Sequence, residues 1–145
     1  MEEKYVKRFN RWQDHTIQQF GSFINLTISF NVILLSACFS FILKPNEFSF
    51  IEVCLGKFFL ILAILSLGIG LVLGVFCQYN RLTDFRNTAK LIKMKSEQKS
   101  TLETNKHESY IDELGKITWQ LLKCHLITLG CGSLFMMVSI FSKWL

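Results

Sequence analysis

The chain has 145 residues; half are hydrophobic, fourteen are Phe, and the formal net charge is +5. That length allows one compact domain, and a soluble domain so small cannot bury this much apolar surface. The composition excludes a secreted disulfide scaffold, a disordered tail and a soluble enzyme of ordinary make-up, and it points to a membrane protein.

Residues 1–20 are the first predicted element, an amphipathic N-terminal helix. Tyr5 or Val6, Phe9, Trp12, Thr16 and Phe20 fall on one side, with Lys7, Arg8, Arg11 and Asp14 elsewhere. Such a helix lies along the inner leaflet or packs onto the cytoplasmic part of the chain. It lacks the contiguous apolar stretch that a signal peptide needs before its cleavage site.

Residues 21–43 are the first predicted span. Ser22 to Leu43 contains no charge and reaches about 33 Å as a helix, enough for a hydrocarbon core of about 30 Å. Pro45 closes it in a short turn. Residues 49–78 are the second span. Its uncharged part is Phe58 to Cys77, and Glu52 and Lys57 mark the interface before it. Residues 120–143 are the third span, with its apolar run from Cys124 to Phe141.

Between the second and third spans, residues 79–119 read as a helical hairpin. Leu82, Phe85, Ala89 and Ile92 form one stripe; Tyr110 or Ile111, Leu114, Ile117 and Leu121 form another. The three-four spacing is helical. The first of these helices continues the second span to about Lys95. The polar stretch Lys99 to Thr104 breaks it, and Asn105 with Glu108 reads as a capping box for the return.

Lys and Arg set the orientation. The N-terminal tail carries four, the 79–119 connector eight, and Lys123 adds one, against Lys44, Lys57 and Lys143 on the other side. This excess places the N-terminus in the cytoplasm and the C-terminus outside. The basic balance is thus a topology signal, and nucleic acid is not expected as a direct partner.

The spans carry only weakly polar side chains. Gln18, Ser22, Asn25, Ser29, Ser36 and Ser40 recur at helical spacing on the first span. Lipid disfavours such a stripe, so it faces protein or water. Two readings stand: interhelical hydrogen bonding, or the lining of a wet path in an oligomer. Asn31 lies off this stripe and is expected to bond a neighbouring helix. Ser66, Gly70 and Gly74 on the second span, with Thr128 and Gly132 on the third, form small-residue ridges. Such ridges let backbones approach closely, so spans two and three should pack together and leave the first freer for other copies.

Catalytic patterns do not emerge. The five cysteines form no CxxC pair and read as small apolar residues. His15, His107 and His125 are far apart, and His125 reads as a packed residue near the inner boundary. No metal site, cofactor or enzyme activity is expected.

The segment Asn80-Arg81-Leu82-Thr83-Asp84-Phe85-Arg86-Asn87-Thr88-Ala89, with Trp12 and Thr118-Trp119-Gln120-Leu121-Leu122, resembles a family of uncharacterised small bacterial inner-membrane proteins. The arrangement of spans with a cytoplasmic helix is loosely similar to SLATT-type membrane effectors of bacterial conflict systems. That resemblance implies pore formation when a partner senses infection. On physical grounds, Arg81, Asp84 and Thr88 are spaced for a local helical network. Arg81 and Arg86 stand close enough to the membrane exit to hold headgroup phosphates or to pair with Asp14, and Phe85 belongs to the same motif.

The resulting expectation is an all-α, three-span homo-oligomer in contact with the lipid bilayer. It forms or gates a channel under control of a soluble cytoplasmic partner or signal, plausibly in phage defence. The alternative is a membrane anchor or assembly subunit that recruits a soluble enzyme through the hairpin.

Overall fold

The computed structural model describes the backbone of residues 2–43, 54–96 and 101–142, and the side chains of 17–43, 54–94 and 102–142. The turn at Pro45, the residues Glu52, Lys99 and Trp144, and the side chains of Trp12 and Asp14 lie outside that set. The described chain is three helices: α1 (Glu2–Leu43), α2 (Cys54–Ser96) and α3 (Thr101–Phe141). Each contains a stretch long and apolar enough to cross a membrane. With 42, 43 and 41 residues, each is about 60 Å long, twice the thickness of a hydrocarbon core.

Two boundaries differ from the sequence expectation. The first 20 residues do not form a separate helix, because α1 runs unbroken from Glu2 into the first span. Gly21 is the residue at which a break would fall, but it is used for close packing. A Cβ there would stand 2.8 Å from Nη1 of Arg81. The return helix begins at Thr101, with Glu103 in its first turn. Asn105 therefore lies inside α3 and does not cap it. An acidic side chain in the first turn already favours an earlier start.

Helices α2 and α3 are antiparallel and make the largest interface. Five contacts follow one register: Gly56 with Ser139, Ser66 with Thr128, Gly70 with His125, Cys77 with Thr118, and Asn87 with His107. Each step along α2 is matched, to within one residue, by a step back along α3. The buried positions explain this. On α2, Gly56, Ala63, Gly70, Cys77 and Leu91 are buried at multiples of seven residues, with Asp84 half-buried in the same frame. On α3 the corresponding series is Thr104, Thr118, His125, Gly132 and Ser139, with Ile111 half-buried. A seven-residue repeat keeps one seam of a helix facing its partner over many turns. Apart from Leu91 and Ile111 the seam residues are small or polar, so the backbones approach closely. The ridges meet as their spacing suggests: Ser66 donates to the Thr128 carbonyl at 2.9 Å, and a Cβ on Gly132 would stand 2.7 Å from Leu67.

Helix α1 packs mainly on α2 through Ile24, Thr27, Asn31 and Cys38, all buried. Two apolar clusters result. One joins Cys38, Leu60, Ala63 and Leu67; the other joins Ile24, Cys77 and Leu122. The cysteines divide: Cys38 and Cys77 are buried, whereas Cys54, Cys124 and Cys131 are exposed on the outside of the bundle.

Candidate functional site

Between the two apolar clusters lies a polar layer that joins all three helices. His125 is fully buried. Its Nδ1 lies 2.7 Å from the Gly70 carbonyl, and its Nε2 lies 3.1 Å from Oγ1 of Thr27. A carbonyl only accepts, so Nδ1 carries the ring proton. The ring Nε2 pairs with the Thr27 hydroxyl, whose proton either faces the ring or turns away from it. Thr27 Oγ1 is also 2.9 Å from the Ile24 carbonyl, a second position for that proton. Asn31 is fully buried on the same face. With its amide turned to suit its neighbours, it donates to the Leu67 carbonyl at 3.0 Å and accepts from the Leu71 amide at 3.1 Å. Gly70 and Gly74 make room for these side chains. A Cβ on Gly74 would stand 2.9 Å from Ile28 and 3.0 Å from His125. The layer pins α1 to the α2–α3 pair at one height, because a slip of one residue would leave several polar groups unpaired.

The stripe on α1 points elsewhere. Gln18, Ser22, Asn25, Ser29, Ser36 and Ser40 are all exposed on the outside of the three-helix unit. Ser36 and Ser40 donate to the carbonyls of Val32 and Ser36 in their own helix. Asn25 accepts from Gln78 Nε2 at 2.5 Å, along the edge where α1 meets α2. The stripe is therefore not the contact that holds α1 within the unit.

A cleft of about 300 Å³ opens beyond the polar layer, toward the C-terminal end of α2. It is lined by Ile17 and Phe20 of α1, Arg81, Asp84, Phe85 and Thr88 of α2, and Gly115, Thr118 and Trp119 of α3. Gly115 leaves space on the α3 side, for nothing stands within 4 Å of a Cβ built there. Arg81 is 9% exposed. It donates from Nη2 to the Ile17 carbonyl. Its guanidinium lies 4.7 Å from the Phe20 ring centre and 5.3 Å from that of Phe85. Phe20 in turn packs on Trp119 at 5.5 Å. These cation–π contacts and one backbone acceptor hold the guanidinium in place. Asn80 reaches across to the Thr118 hydroxyl at 3.3 Å and fixes the floor.

The expected side-chain network of Arg81, Asp84 and Thr88 is not formed. Thr88 donates to the backbone carbonyl of Asp84 at 2.9 Å, as a helical threonine does with the residue four before it. Arg81 is turned to α1. One carboxylate oxygen of Asp84, Oδ1, is buried and accepts no hydrogen bond. Arg86 is exposed and outside the cleft.

Burial pushes the Asp84 carboxyl above the usual carboxylate range. An acid whose folded value is raised takes up a proton on folding, so its penalty is full above that value and fades as pH falls through it. A buried acceptor without a donor costs about 1–3 kcal/mol. Asp84→Asn is therefore expected to leave the thermal midpoint at neutral pH unchanged or to raise it. The difference from wild type should shrink as the pH falls into the carboxylate range. A variant melting well below wild type at neutral pH would show that the carboxylate holds the fold together.

No family model matches the chain, and neither a curated protein nor a solved structure shows a significant match. The site must therefore be read from its own chemistry. No group of three or more His, Cys, Asp or Glu side chains able to hold a metal ion occurs among the described residues.

Sequence reasoning missed Thr27 as a partner of His125. The available signal was the spacing of Ile24, Asn31 and Cys38, seven residues apart, with Thr27 beside it.

Proposed function

We propose that the protein is a non-enzymatic, oligomeric effector of the bacterial inner membrane that forms or gates a channel. The observation that carries this reading is the outward stripe of α1. Six polar side chains stand on the face that the three-helix unit leaves uncovered. The amide N–H groups of Asn25, whose oxygen is taken by Gln78, and the whole amide of Gln18 are the expensive members, because lipid offers them no partner. Local backbone bonds reduce the cost for Ser36 and Ser40. A second copy or a water-filled path removes the rest. The buried layer of Thr27, Asn31 and His125 holds α1 so that this stripe keeps its outward direction.

In this reading the positive-inside excess sets the N-terminus and the C-terminal end of α2 in the cytoplasm. About 29 Å of α2 then extends past Cys77 into the cytoplasm. That rod offers a soluble partner or signal a lever on the membrane part. The resemblance to SLATT-type effectors supports phage defence as the setting, at the level of architecture.

The test is ion release from liposomes containing the purified full chain. Wild-type protein is expected to release a trapped ion or dye of ionic size, either constitutively or on addition of a cell fraction from infected cells. Liposomes that stay tight under both conditions would overturn the channel and leave α1 as a contact surface between copies.

A further inference from the structure

The cleft beside Arg81 is not explained by a channel. It combines a guanidinium, a buried carboxylate oxygen without a donor, and an aromatic wall of Phe20, Phe85 and Trp119. Its height is informative. Arg81 lies four residues past Cys77, about 6 Å along the helix from the end of the second span. Headgroups occupy that level when the span is placed in a bilayer.

The geometry points to a binding site for one phospholipid with a primary ammonium headgroup, phosphatidylethanolamine in chemical terms. Arg81 retains N–H groups beyond the one given to Ile17, and a guanidinium takes a phosphate oxygen readily. The ammonium pairs with the Asp84 carboxylate, which lines the same cleft. The glycerol and upper acyl chains lie against Phe20 and Trp119, at the level where aromatic residues meet lipid. A zwitterion matches the cleft because the two protein charges are three residues apart on one helix and do not pair with each other. A choline headgroup has no N–H and cannot satisfy Asp84. A glycerol headgroup brings no positive charge. The site depends on the membrane reading of the spans and not on conduction, so liposomes that stay tight would leave it standing.

The test is native mass spectrometry of the full chain in mild detergent, given equal amounts of phosphatidylethanolamine and phosphatidylcholine with identical chains. Wild type is expected to carry the ethanolamine lipid in about tenfold excess. Asp84→Asn should reduce that ratio to about one while still binding both lipids through Arg81. Arg86→Gln, outside the cleft, should keep the wild-type ratio. Excess soluble phosphoethanolamine should leave the adduct in place, because it lacks the part that meets the aromatic wall. Equal binding of the two lipids by wild type would overturn the site, as would a preference that survives in Asp84→Asn. Displacement by soluble phosphoethanolamine would overturn the lipid as its occupant. If Asp84→Asn fails to assemble, the comparison of the two lipids on the unchanged chain still decides.

Discussion

Replacing Asn25, Ser29 and Ser36 together by Leu is expected to abolish ion release while leaving the mass of the complex unchanged. All three side chains are exposed on the outside of the unit. None belongs to the buried face of Ile24, Thr27, Asn31 and Cys38. The change removes the Asn25–Gln78 bond, and a single polar contact between membrane helices is worth about 0.6 kcal/mol. That loss is too small to unfold the bundle. The effect on a water path is larger, because three hydroxyl or amide groups on one helix face become branched apolar ones over about three turns. A constriction lined in that way sheds water and closes to ions. Ion release that persists at the wild-type rate would mean the path does not run along α1.

Gly70→Leu is expected to unfold the three-helix unit or leave it barely folded. A Cβ at this position would stand 2.8 Å from the Asn31 amide and 2.8 Å from the Thr128 hydroxyl. These neighbours belong to α1 and α3, so the new side chain meets an obstacle on both sides. Overpacking of this kind costs about 1–3 kcal/mol. Displacing Asn31 and Thr128 breaks contacts worth up to about 1.7 kcal/mol each, and the His125 bond to the Gly70 carbonyl is disturbed as well. The total is several kcal/mol in a layer that joins every helix. Gly130→Leu is the control, because nothing stands within 4 Å of a Cβ there. Thermal unfolding in detergent, followed by circular dichroism, should show a large drop for the first variant and little change for the second.

The contrast between these glycines shows what the sequence could and could not tell. The three spans are evident from long uncharged runs, since nothing else explains twenty apolar residues in a row. The pairing of α2 with α3 follows from Ser66, Gly70, Gly74, Thr128 and Gly132, because small residues at that spacing have few other uses inside a membrane. The facing of α1 does not follow. Polar residues occur on both of its sides: Thr27 and Asn31 point inward, whereas Asn25 and Ser29 point outward. In water, apolarity marks the buried side of a helix; in lipid that rule loses its force, and composition alone cannot choose between two polar stripes. The seven-residue spacing of Ile24, Asn31 and Cys38 carries the missing signal, but only once small and polar residues are counted as seam positions. The Arg81 site is harder still. Its anchor is the backbone carbonyl of Ile17, and no side-chain pattern announces a backbone partner in another helix. The unbroken α1 has a related cause, since the close approach of Arg81 to Gly21 brings in a residue of another helix that the local pattern of α1 does not show.

The central claim is that copies of the chain assemble around a central path lined by the outward polar stripe of α1. The mass of the complex in mild detergent, measured by native mass spectrometry, tests it most directly. A closed ring of roughly four or more copies is the predicted result, because only a closed symmetric set gives each stripe a partner and surrounds a central path. A monomer or dimer that persists across several gentle detergents would contradict it, since two first-span helices cannot enclose water.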